Sequence, residues 1–290
     1  MSSMKVMLFG ALGMLGCDLS TELTKNGVTV IPITKKICDI TKIEDVILTI
    51  QSEPAIDYVI NCAAYTNVDL AETEQELANL INGEAISHLL KACKKYEIPF
   101  VHISTDYVFD GTKKHSAYIE TDVCKPINAY GYSKWIGEQH CLNSTNHYYI
   151  FRVQWLYGVN GHNFIKTMTE LMSKKQELSI VADQWGSPTS TVSLARYIIH
   201  VLAKKPAYGI YHCTDKGVTT WYEFATEIGK QIGYTGLIKP VKSVTLSRPA
   251  KRPKNGRLNC QKLITSTKLN QINWQEMVTQ YLDKIKIKEN

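Results

Sequence analysis

No two of the eight cysteines form a CxxC pair, and His140-Cys141 and His212-Cys213 are adjacent pairs without ligand spacing. A metal site and a disulfide framework are therefore not expected, and scattered thiols in apolar runs, such as Cys62 in "YVINCAA", read as small hydrophobes of a reduced, cytoplasmic protein. No apolar run approaches the length of a membrane span, and the opening "MSSMKVMLFG" is too short for a secretory signal, so no membrane partner is expected. Internal repeats are absent too. The charge bias is small, at +6. With no basic helix face and no interleaving of basic and aromatic residues, a nucleic-acid partner is not expected either. The one dense basic stretch, "RPAKRPKNGR" (248–257), is broken by proline and glycine and reads as a loop. It is either a solvated turn or a site for a phosphate-bearing ligand.

What remains is an ordinary globular composition over 290 residues, 44% hydrophobic and 21% charged. The first half alternates short apolar runs with helical patterns. Strands are expected at 5–10, 28–33, 56–63, 99–105 and 148–155, and helices at 14–25, 42–52, about 72–96 and 128–141. Pro32 should mark the exit of its strand, because it cannot donate to a ladder. That order predicts an α/β fold, a Rossmann-like doubly wound parallel sheet. The rest is more mixed, with helices near 163–174, 192–204 and 221–232. It reads as a smaller C-terminal substrate-binding lobe, giving 1–155 mainly to dinucleotide binding and 156–290 mainly to substrate, with some interleaving of the chain.

Gly10, Gly13 and Gly16 follow the first strand and open the first helix, in the spacing GxxGxxG. In that context the first glycine permits a tight turn, the second lets backbone N–H groups approach a pyrophosphate, and the third lets helix and strand pack closely. The helix N-terminus then faces the anion. Past the second strand, "ITKKICDI" carries Lys35 and Lys36 and no acid before Asp39. Cations there suit a 2′-phosphate, so NADPH is favoured, with NADH as an alternative.

"NAYGYSKWIGEQ" sets Tyr130 and Lys134 four apart, so both project from one helix face. An ammonium one turn from a phenol lowers its pKa and suits it to proton transfer. Tyr132 has the wrong spacing. In "VHISTDYVFDG", Ser104 and Thr105 offer hydroxyls at the carboxyl end of a strand, where one can polarise a substrate carbonyl.

With these motifs, "NCAAYTNVDLAE", "FRVQWLYG", "NFIKTM", "DQWGSPT", "TTWYEFA" and "KRPKNGRLN" follow in order along nearly the whole chain. Together they resemble the dTDP-4-dehydrorhamnose reductase family of extended short-chain dehydrogenase/reductases. The resemblance implies NAD(P)H-dependent reduction of the C4 ketone of a sugar nucleotide. It further implies that Thr105 binds the carbonyl, Tyr130 delivers the proton, and Lys134 tunes Tyr130 and holds the cofactor ribose. Gly10, Leu12, Gly13, Met14 and Leu15 would meet the pyrophosphate, Asp39 and Ile40 the adenine, and Ala63, Ala64 and Tyr65 the middle of the cofactor. Thr105, Asp106 and Trp155 would line the sugar. To these, charge and position add Arg252 and Arg257 as candidates for the substrate phosphates.

Two relatives carry different implications. Bifunctional epimerase/reductases of GDP-fucose and UDP-rhamnose synthesis place a cysteine two residues after the catalytic hydroxyl, where this chain has Tyr107. A separate 3,5-epimerase is accordingly expected. The regulatory β subunit of methionine adenosyltransferase resembles the same family and acts by binding an enzyme, but "DQWGSPT" and "KRPKNGRLN" favour the reductase. The motifs leave dTDP and UDP open as carriers, and leave a homodimer open.

Overall fold

Successive residues of a strand point to opposite faces of its sheet, so an uninterrupted apolar run needs cover on both sides. The computed structural model, which describes residues 4–144 and 147–289, provides it. Strands β1 (Lys5–Phe9), β2 (Thr29–Ile33), β3 (Tyr58–Asn61), β4 (Phe100–Thr105) and β5 (Tyr148–Val153) form one parallel sheet with a sixth strand, Gly209–His212. The helices used below are α1 (Met14–Lys25), α2 (Ile43–Gln51), α3 (Gln75–Asn79), α4 (Ala85–Lys95), α5 (Ala129–Leu142), α6 (Phe164–Met172), α7 (Thr191–Lys204) and α8 (Trp221–Ile232). Val6 and Leu8 pack with Leu15 and Leu19 of α1 and with Leu194 and Ile198 of α7. Met7 and Phe9, on the other face, pack with Val46 of α2 and with Ile86, Leu89 and Cys93 of α4. The fold is the doubly wound α/β class.

Across the sheet the order is Gly209–His212, β5, β4, β3, β1, β2. The chain runs outward from β1 to β2, then returns to lay β3 on the other side of β1. This reversal opens a crevice beyond the carboxyl ends of β1 and β3, where open α/β sheets bind ligands. Being outermost, β2 tolerates Pro32, which sits within the strand opposite Leu8, one residue short of its end.

The single helix expected over about 72–96 is interrupted. A short 3₁₀ turn (Leu70–Glu72) precedes α3, and a π-helical turn, Leu80–Glu84, separates α3 from α4. The wide turn carries Asn82, fully buried, whose amide accepts from the Tyr65 N–H at 2.8 Å and donates to the Tyr65 carbonyl at 2.9 Å. One extra residue per turn aims this side chain at the segment after β3, a demand that helical periodicity does not display.

Beyond residue 155, a third apolar cluster joins α6, α8 and the terminal helix Trp274–Glu289, through Ile165, Met168, Phe224, Ile228 and Val278. Yet α7 and the strand Gly209–His212 serve the main sheet, so the chain interleaves. Among the described residues no helix is long and apolar enough to cross a membrane.

The glycine turn at β1 is constrained by contact. A β-carbon on Gly16 would run into the Gly10 carbonyl oxygen and lie 2.8 Å from the Ala11 α-carbon. Gly16→Ala is expected to cost about 1–3 kcal/mol of stability as an overpacked site, seen as an earlier urea midpoint with an unchanged m-value.

Candidate active site

The three glycines differ in what they exclude. Gly10 has a φ of +72°, and a β-carbon there would sit 2.5 Å from the Ala63 nitrogen, so the turn after β1 touches the segment after β3 through bare backbone. At Gly13 an added β-carbon would meet only the Gly10 carbonyl oxygen, at 3.2 Å. Gly13 is also the N-cap of α1, which has no side-chain cap and no acid in its first turn. An open helix N-terminus with its backbone accessible fits a pyrophosphate. Leu12 is exposed, whereas the Leu15 side chain is buried in the core and leaves this site only its backbone. Met14 lies between them, half-buried.

Lys35 and Lys36 are both exposed just past β2. Asp39 turns back on the chain, accepting from the Thr41 N–H at 3.1 Å and hydroxyl at 2.8 Å; these bonds hold its pKa below the usual carboxylate range. Ile40 packs into the core. The donor set at this corner is cationic, as a 2′-phosphate requires. Ala63, Ala64 and Tyr65 continue from β3, with the Tyr65 main chain clamped by Asn82 and its hydroxyl donating to Glu74 at 2.8 Å.

The last residue of β4 is Thr105. Strand alternation separates the two candidate hydroxyls: Ser104 donates to buried Glu138 at 2.5 Å, whereas the Thr105 hydroxyl donates to Asp106 at 3.2 Å, accepts from the Tyr107 N–H at 3.2 Å and lies close enough to Tyr130 to favour its phenolate. The helix that carries Tyr130 is seated by close backbone approaches. A β-carbon on Gly131 would strike the Tyr107 carbonyl oxygen, and one on Gly137 would strike that of Asn82. Asn128 caps α5 by accepting from the Gly131 N–H at 2.7 Å.

Burial, then the nearby Asp106, pushes the Tyr130 phenol up to about 12; Thr105 works against this. Burial also drops Lys134 to about 8. Burial is the largest influence on both groups in the ligand-free protein, raising the phenol and lowering the ammonium. Tyr130 is thus held protonated.

Asp106 is buried between β4 and the basic loop, with Gly256 so close that a β-carbon there would collide with its carboxylate. The loop itself is not a solvated turn. Ala250, Asn255 and Gly256 are buried, and the Lys251 carbonyl accepts from Asn128 at 2.7 Å. Arg252 grips Asp69 with two bonds of 2.9 and 2.7 Å and donates to the Ala250 carbonyl at 2.8 Å; near it lies Tyr107, whose ring stands edge-on to that of Tyr130 at 5.8 Å. Arg257 instead binds Asn255 and the Lys114 carbonyl. Just past β5, Trp155 adopts a φ of +46°, which a bulky residue holds only under strain. It stacks on Trp221 at 3.7 Å and abuts Gly186.

Sequence reading missed the support behind these residues. Glu138 and Arg152, both buried, pair at 2.6 Å, and His102, fully buried, lies 3.4 Å from the Lys134 ammonium. A usable signal was present: an arginine inside the apolar strand "YYIFRVQW" demands a buried partner, and Glu138 continues the Tyr130 and Lys134 face by one more turn.

The chain matches the family described as the RmlD substrate binding domain over residues 4–287. It is 38% identical to a dTDP-4-dehydrorhamnose reductase of Burkholderia thailandensis, over 90% of this chain and 92% of that one. Among solved structures it is similar to a dTDP-4-dehydrorhamnose reductase of Clostridium acetobutylicum, at 39% identity and a TM-score of 0.93, covering 98% of this chain and 100% of that one. The Bacillus anthracis dTDP-4-dehydrorhamnose reductase in complex with NADP also gives 0.93, at 36% identity over 97% and 99% of the two chains.

Burial raises Asp106 from its ordinary value to about 8. Between about pH 4 and that value the folded protein holds a proton the unfolded chain has released, so this group makes stability fall as pH rises. Asp215, raised to about 7 by burial, has the same sign. Urea midpoints of the ligand-free protein across this window should decline less for Asp106→Asn than for wild type. An equal decline would mean that Asp106 is ionised in the fold.

Proposed function

Since the chain belongs to the dTDP-4-dehydrorhamnose reductase family, we propose that it is an NADPH-dependent sugar-nucleotide reductase, converting the C4 ketone of dTDP-4-dehydro-L-rhamnose to the alcohol of dTDP-L-rhamnose. The observation that carries this reading is Tyr130 placed beside Thr105 at the end of β4, with Lys134 one turn further along the same helix, in a protein whose relatives include a reductase in complex with NADP.

NADPH, when bound, supplies the hydride for the ketone carbon. The Gly10–Leu15 turn and the N-terminus of α1 hold its pyrophosphate, Lys35 and Lys36 its 2′-phosphate, Asp39 and Ile40 border its adenine, and Ala63, Ala64 and Tyr65 wall its middle. Thr105 fixes the ketone oxygen by hydrogen bonding. Tyr130 gives that oxygen its proton as the C4–O bond becomes an alcohol, and Lys134, charged below about pH 8, stabilises the phenolate left behind and holds the ribose. Trp155, with its strained backbone and flat face, and Asp106 border the sugar. Of the two candidate arginines, Arg252 must share its guanidinium with Asp69, while Arg257 lies nearer the exposed rim. Position 107 holds a tyrosine, so epimerisation at C3 and C5 is assigned to a separate enzyme. All eight cysteines are unpaired, in keeping with the reducing cytoplasm.

Purified protein given NADPH and dTDP-4-keto-6-deoxyglucose pre-equilibrated with a separate 3,5-epimerase should oxidise the cofactor and form dTDP-L-rhamnose. No oxidation would overturn the reading, and rhamnose formed without the epimerase would overturn its single-step form. Tyr130→Phe should lower kcat by roughly 10²- to 10⁴-fold while NADPH affinity stays close to wild type. Replacing Lys35 and Lys36 together by alanine should raise the KM for NADPH by roughly tenfold, a change of about 1.4 kcal/mol, with little change for NADH.

A further inference from the structure

The ammonium of Lys134 is buried at the heart of the site, and the groups around it are few. On its own helix stand Tyr130, Glu138 and Cys141, the segment after β3 contributes Cys62, and β4 contributes His102. Glu138 is the nearest carboxylate, but its oxygens are already committed. Arg152 Nε donates to it at 2.9 Å and Arg152 Nη2 at 2.6 Å, while the Ser104 hydroxyl donates at 2.5 Å. Cys62 and Cys141 are held as neutral thiols by burial. That leaves His102 Nε2, at 3.4 Å, as the side-chain acceptor facing the ammonium.

The imidazole is placed with care and at a cost. It stacks on Phe100 at 6.2 Å, and Gly137 of α5 packs beside it, where an added β-carbon would lie in ordinary contact with Nε2 at 3.4 Å. With Nε2 accepting from Lys134, the ring proton resides on Nδ1, which is buried and has no hydrogen-bond partner among the described residues. Phenylalanine would pack in this apolar layer without an orphaned N–H. Retaining imidazole here points to work for the other nitrogen.

We propose that His102 is a positioning residue: as a neutral acceptor it fixes the Lys134 ammonium on the Tyr130 face of α5 without supplying a counter-charge. This rests on the reductase reading for its catalytic meaning. The distinction from an anionic partner is physical. A carboxylate at this position would hold the lysine equally well but would cancel part of the field that stabilises the departing phenolate. A neutral acceptor orients the cation and leaves its charge undiminished. Burial and the proximity of Lys134 both keep the imidazole itself uncharged, well below the usual histidine range.

The test reads Lys134 directly, by NMR titration of ¹³Cε-lysine in the ligand-free protein, with the resonance assigned through Lys134→Met. In wild type it should titrate near 8. His102→Phe should move it down by about one unit, and His102→Glu should move it up by about 1–3 units, while His102→Gln, which keeps a neutral acceptor, should restore the wild-type position. In turnover, the alkaline limb of kcat should move with each variant. At neutral pH, His102→Phe and His102→Glu should both lower kcat, by roughly 10- to 100-fold for a misaimed or compensated group. Far-ultraviolet circular dichroism and NADPH binding identify a variant that has failed to fold. A Lys134 titration unmoved by folded His102→Phe, or moved equally by His102→Gln, would overturn the proposal. If wild type reduces no sugar nucleotide but the titrations follow the predicted order, His102 stands as the partner of Lys134 and the reductase reading alone falls.

Discussion

One buried ion pair holds the reacting face in place. Glu138 reaches from α5 into the sheet to meet Arg152 of β5, and Ser104 of β4 donates to the same carboxylate. Removing either charge would strand the other in the interior, a loss of about 3–5 kcal/mol for pairs of this kind. The pair therefore pins α5 across two strands at once. Tyr130 and Lys134, two turns and one turn upstream on the same face, inherit their positions from it. Arg152 also reaches the Glu120 carbonyl and the Cys124 sulfur, and its guanidinium lies over the Phe109 ring at 5.0 Å, so the loop leaving β4 is tied to the same anchor.

That arrangement explains why the buried lysine lacks a counterion of its own. Glu138, the carboxylate that acts on it among the described residues, favours its charge but is shared with Arg152, so burial dominates and its pKa falls to about 8. The phenol is pushed in the opposite direction. The two shifts share a cause, the desolvation of a charge, and on the proposed reading they suit a reduction: a protonated phenol and, one helical turn away, a cation to stabilise the phenolate it becomes. The roof over this site is the basic loop, which binds Asp69 through Arg252 and leaves room for Asp106 through Gly256. Its cations were visible in the sequence as a cluster; its burial was not.

Much of the architecture was legible because it repeats a local rule. The first helix was expected at 14–25 and is found there, since the glycine turn marks its start and Asn26-Gly27 its end. The five strands of the first half follow from apolar runs bounded by turn residues. The interruption at Leu80–Glu84 was not legible, because its purpose is to aim Asn82 at a backbone segment 17 residues away. Nor was the sixth strand, Gly209–His212, which takes its place by pairing with the outer edge of β5.

By itself the sequence determined the parts whose chemistry is local: a glycine turn where no β-carbon fits, a tyrosine and a lysine one helical turn apart, and a hydroxyl ending a strand. Only the tertiary structure decided which hydroxyl turns to the phenol, which carboxylate is spent on an arginine, and which histidine lies under the lysine. Those are contacts between residues 14 to 34 positions apart, joining α5 to β4 and β5. Spacing along a helix or strand fixes the direction of a side chain, but its charge state depends on what the rest of the chain has packed against it.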